Sequence, residues 1–210
     1  MSDISFTDEE IELMKNAIAR GHQFWVDESL KDLKRRIKNH LRQHQEECCC
    51  YCSRNIDDEF NMVLDIEHII PKSKLVSEMF EMRNLAVSCK RCNMRIKKED
   101  ISFINEDFES FKNNISYYQS GKYKFIHPNL DGWDDHLIYQ VQQQNRKKIV
   151  YYQVVGDSSK GEYTKNYFEL SKIQVNTFDE AQGACNRKEP LDSKIAEEFS
   201  KLEISMLGKE

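Results

Sequence analysis

Two Cys-x-x-Cys pairs, Cys49/Cys52 and Cys89/Cys92, stand 36 residues apart and bracket one histidine with acidic neighbours. Zinc takes four ligands in a tetrahedron, and two such pairs supply four thiolates from two tight turns. Cys48 and Cys50 adjoin the first pair. The two-residue spacing to Cys52 favours Cys49, with Cys48 as the alternative. The separation exceeds what a plain zinc ribbon needs, so the pairs are expected to clamp an insert. That insert carries Asp65, Glu67, His68 and Pro71, then Asn84, and Asn93 follows the last cysteine. A module that only binds has no need of a base beside a carboxylate, so His68 next to Glu67 points to catalysis.

The order Glu67-His68-Ile69 with Pro71, Asn84 before an apolar strand, and Cys89-x-x-Cys92-Asn93 resembles the HNH endonuclease motif, a ββα-metal fold, in its zinc-stapled form. The resemblance covers about a quarter of the chain. It implies hydrolysis of phosphodiester bonds, of DNA first and RNA second. It gives His68 the general-base role, and an imidazole with a pKa near ~6.5 can take a proton at cellular pH. It gives Glu67 and Asn93 one divalent ion, Mg²⁺ or Mn²⁺, for which carboxylate and amide oxygens are suitable hard ligands. Asn84 is expected among the catalytic residues as the brace of the intervening loop. Asp65, two residues from Glu67 on the same strand face, is an additional ligand or a partner of the ligands. Many members carry Asp where this chain has Glu67. Successive strand residues also face opposite ways, so Glu67 and His68 share an ion only if the chain bends, as Pro71 allows.

Stepwise along the chain, the elements that must hold these groups are legible. Thr7 and Glu10 fit a capping box, Phe6 and Ile11 sit at staple positions, and Gly21 is a stop for the helix between. A second helix, capped near Asp27, carries the stripe Leu30, Leu33, Ile37 and Leu41. Met62–Ile70 reads as a strand ended by Pro71, 84–88 as a second strand, and Lys90–Lys98 as a basic helix. Leu75, Val76, Met79 and Phe80 are expected to point inward from the loop between the strands. Ile101, Ile104, Phe108 and Phe111 suggest a further helix. Ile149–Val155 and Glu162–Leu170 read as two strands joined by the turn 156–161. Thr177 with Glu180, and Pro190, mark later helix starts. The expected fold is α+β: N-terminal helices over 1–47, the ββα-metal core with its zinc knuckle over 48–100, and an α+β extension over 101–210 suited to binding a partner. His127 and His136 are expected to pack or cap in that extension. The layout His127-Pro128, Asp131, His136, hairpin, helix is similar to the tail of HNH subunits in bacterial anti-phage systems of the Septu type. That similarity implies an ABC-type ATPase as partner.

Composition bounds these readings. With 210 residues, 39% of them hydrophobic and 10% aromatic, the chain can bury a core, and disorder is excluded. No apolar run approaches the ~18–20 residues of a membrane span. The polar opening Met1-Ser2-Asp3-Ile4 lacks signal-peptide shape, and seven cysteines suit a reducing compartment, so a soluble cytoplasmic protein is expected. The net charge of −5 is unevenly spread: residues 72–98 carry eight Lys/Arg against Glu78 and Glu81. Lys72, Lys74, Arg91, Arg95, Lys97 and Lys98 are therefore candidates for phosphate contacts. Two other readings stay open: a non-catalytic zinc module that binds nucleic acid or a protein, and a toxin-like RNase.

Overall fold

The computed structural model describes residues 4–57, 59, 63–113, 116–144 and 147–174. The expected helix starts at Thr177 and Pro190 lie outside them. Among the described residues two compact units emerge, one reaching to Tyr139 and including Tyr152–Lys172, the other including Gln140–Tyr151. The α+β class holds: among the described residues helices combine with two separate two-stranded sheets.

Helix α1, Asp8–Arg20, starts on the anticipated box. Glu10 N–H donates to Thr7 Oγ1 at 3.3 Å, and Thr7 N–H donates to Glu10 Oε2 at 2.9 Å. Gly21, with φ at 91°, closes it in a backbone region that glycine adopts without strain. Asp27 then caps a 3₁₀ turn, Glu28–Leu30, which runs straight into α2, Lys31–His44. Leu30, Leu33, Ile37 and Leu41 are buried as the stripe requires. Each such side chain contributes about 1.5–3 kcal/mol of burial.

Strand β1, Leu64–His68, pairs antiparallel with β2, Leu85–Cys89, in the register Asp65↔Ser88, Glu67↔Ala86 and His68↔Leu85. The hairpin packs on α2. Every residue of β2 is buried, which explains its apolar start Leu85-Ala86-Val87. From β2 the chain enters a π-helical segment, Arg91–Lys97, in place of the ordinary helix expected there. Lys98 N–H reaches back five residues to Asn93 O at 2.7 Å. Such wide turns are rare and concentrate at functional sites.

Two expectations for the extension need correction. The helix over 101–111 is confined to α3, Phe108–Asn113, because Asp100 ties Ser102 into a turn and Ile104 pairs with Tyr123 in an isolated bridge. The second sheet joins β3, Leu137–Gln144, to β4, Lys147–Val154, so the partner of β4 lies upstream. Residues expected as the following strand form helix α4, Ser159–Tyr167, because Ser158 Oγ accepts from Gly161 N–H at 2.9 Å and caps it. No helix among the described residues is long and apolar enough to cross a membrane.

Candidate metal centre and active site

The cysteine cluster is built from the turn 49–52 and the junction of β2 with the π segment. Cys49, Cys52, Cys89 and Cys92 are all buried, with their sulfurs within 4.8 Å of one another. Cys49 is the one of the first three cysteines that joins; the backbone of Cys48 pairs with that of Asn55 in an isolated bridge. Cys89 N–H donates to Cys49 Sγ at 3.3 Å, which favours a thiolate there. Four buried sulfurs of this geometry could hold a zinc ion. The turn is anchored by a residue the sequence reading missed. Gln45 Nε2 donates to Cys48 O and Val87 O at 2.9 Å each, and its Oε1 accepts from Val87 N–H at 2.6 Å. This amide satisfies the outer edge of β2 as a neighbouring strand would. Glutamine in a polar helix end carries no sequence signal for that role.

The insert between the pairs is braced by Asn84. Its Oδ1 accepts from Ile70 N–H at 2.7 Å, and its Nδ2 donates to Ile70 O and Glu78 O at 3.1 and 3.0 Å. Asn84 therefore touches backbone alone. Asn129 adds a second brace, donating to the carbonyls of Met82, Arg83 and Leu85.

His68 closes β1. Its Nε2 lies 3.1 Å from Met79 O. A carbonyl only accepts, so Nε2 carries the proton and Nδ1 the lone pair. Burial, then the positive charge of Lys72, push its pKa down to about 3, so the ring is neutral at cellular pH. Trp25 packs edge-on against it, centroids 4.5 Å apart, and is pinned by Lys34, which donates to Trp25 O at 2.8 Å.

Glu67 faces away from that ring, as strand alternation demands. It is buried; Tyr51 Oη donates to its Oε1 at 3.1 Å, and Lys97 Nζ lies 2.7 Å from the same oxygen. Lys97 also donates to His68 O at 3.0 Å. Burial lifts the Glu67 carboxyl above its ordinary range, opposed by Lys97 and Tyr51. Asn93 is brought to Asp65 instead: Asn93 Nδ2 donates to Asp65 Oδ2 at 3.1 Å, while Lys90 Nζ sits 2.5 Å from Asp65 Oδ1. Glu67 and Asn93 offer a carboxylate and an amide oxygen, the hard donors that would suit a divalent ion. Both clamps on Glu67 fall on Oε1, leaving Oε2 for a ligand, and Asn93 turns its nitrogen, not its carbonyl, to Asp65.

Two of the six basic candidates are withdrawn from phosphate contact. Lys97 is fully buried in the ion pair with Glu67. Arg91 donates to Phe168 O and Glu169 O at 2.8 and 3.0 Å, closing the end of α4. Lys74, Arg95 and Lys98 are exposed, and Lys72 is half-buried. The charge of Lys72 lowers the pKa of both His68 and Glu67. Nor do His127 and His136 form a metal site. His127 is buried against Tyr123 and accepts from Asn129 N–H, and His136 pairs with Ser158.

A buried four-cysteine cluster clamping a ββ hairpin and a helical turn defines the class, and residues 49–99 match the family model described as HNH endonuclease. More particularly, the chain is similar to the Septu protein PtuB of Bacillus thuringiensis, 30% identical over 115 residues, which are 52% of this chain and 41% of the relative. The match thus spans about two-fifths of that relative's length. Both findings bear out the resemblance read from the motif.

Proposed function

We propose that the protein is a metal-dependent endonuclease that hydrolyses phosphodiester bonds of DNA with a single divalent ion, working in the cytoplasm as the nuclease subunit of an anti-phage complex beside an ABC-type ATPase. The observation that carries this reading is His68, held neutral at the end of β1 with its Nε2 proton on the Met79 carbonyl. Its Nδ1 lone pair is the base that takes a proton from the attacking water. Glu67 and Asn93 would hold Mg²⁺ or Mn²⁺, which supplies charge neutralisation at the scissile phosphate and at the departing 3′ oxygen. The products then carry 5′-phosphate and 3′-hydroxyl ends. Lys72, Lys74, Arg95 and Lys98 contact phosphates, which positions a duplex without reading its sequence. The four cysteines hold structural Zn²⁺. The similarity to a Septu protein supports the defence setting and the partner.

One observation favours a second reading, a zinc module that binds without cutting: His68 is only 6% exposed, under Trp25. Plasmid nicking with Mg²⁺ or Mn²⁺ decides between the two. Loss of a general base in His68→Ala should slow nicking about 10²- to 10⁴-fold. If wild type and variant are equally inert while both bind DNA, the binding module is correct. Total RNA incubated in parallel tests the RNase alternative.

A further inference from the structure

We infer that Asp65 is a positioning residue for Asn93 and not itself a ligand of the divalent ion, an inference that rests on the nuclease reading above. A side-chain amide presents an oxygen on one side and a nitrogen on the other, and rotation by half a turn exchanges them. Only the oxygen can bind a cation. An ionised carboxylate accepts and never donates, so Asp65 Oδ2 selects the nitrogen of Asn93 and turns the carbonyl to the opposite side. Asp65 is well placed to do so. Its partner Lys90 holds the other oxygen, Oδ1, so both carboxylate oxygens already face a donor. Strand pairing with Ser88 fixes its backbone beside the very turn from which Lys90 and Asn93 emerge. Glu67 is treated in the complementary way, one oxygen locked by the donors Tyr51 and Lys97. Each hard-oxygen group is thus oriented by a neighbour of the opposite hydrogen-bonding character, the arrangement that tunes metal ligands generally.

Mn²⁺ binding to the full chain with its zinc retained, followed by electron paramagnetic resonance of the free ion, tests this without reference to cleavage. Asp65→Ala, and the isosteric Asp65→Asn, should each weaken Mn²⁺ binding about ten- to a hundredfold. In an Asn93→Asp background the same changes should cost nothing, because a carboxylate offers oxygen whichever way it turns. An equal loss in both backgrounds would make Asp65 a direct ligand and overturn the inference. So would undiminished binding in Asp65→Ala when Glu67→Gln and Asn93→Ala abolish it; the nuclease reading survives that result. If wild type retains zinc but binds no Mn²⁺, the metal-dependent reading itself fails and takes the inference with it.

Discussion

His127 is the second imidazole that the fold holds neutral. It is fully buried, and that burial pushes its pKa down to about 3. Unfolded, the same group takes up a proton near pH ~6.5. Below that value the unfolded chain binds protons that the folded His127 and His68 refuse, so stability should fall as pH drops from about 6.5 toward 3. Urea midpoints at pH 7 and pH 5 measure the slope. His127→Asn, which keeps an acceptor for Asn129 N–H, should flatten it; an unchanged slope would assign the protons elsewhere. The cysteines were legible from their spacing, and Asn84 from the resemblance of its surroundings to the HNH motif. Arg91 and Lys97 were not. Their charge reads as surface, and only the π turn and a segment 77 residues downstream bury it.

Elements were legible where their signals are local. The cap of α1 needs only Thr7 and Glu10, three residues apart, and its form follows. The partner of β4 is a long-range choice between two flanks that both look strand-like, and periodicity does not decide it. Tight packing at the start of α4 does. A Cβ on Gly161 would lie 2.3 Å from His136 O, and that carbonyl is held in place by Val155 N–H at 3.0 Å. Gly161→Ala should therefore cost about 1–3 kcal/mol of overpacking, read from urea denaturation. Wild-type stability in that variant would show that α4 docks more loosely than this contact implies. Of the strand expected over 62–70, Met62 lies outside the described residues, and β1 ends at His68 because the Asn84 side chain, not a strand partner, takes Ile70 N–H.

At the scale of the whole molecule the four sulfurs fasten more than the insert. Tyr152 Oη, from β4, donates to Cys52 O at 2.6 Å, and Gln45 ties the end of α2 to the same turn. Structural zinc of this kind contributes about 10–16 kcal/mol of apparent binding energy to folding. Cys89→Ser should lose the metal, about one Zn per chain by elemental analysis, and should lower the melting temperature steeply; full zinc content in the variant would exclude Cys89 as a ligand. The aromatic stack beneath Glu67 has a consequence in time. Tyr51, whose hydroxyl supports that carboxylate, lies 4.2 Å from the ring of Phe168, and Arg91 grips the carbonyls of Phe168 and Glu169. During synthesis, residues 49–99 are made before Phe168 is added. A nascent chain therefore carries the motif while the ring that stacks on Tyr51, and with it the support beneath Glu67, is still missing.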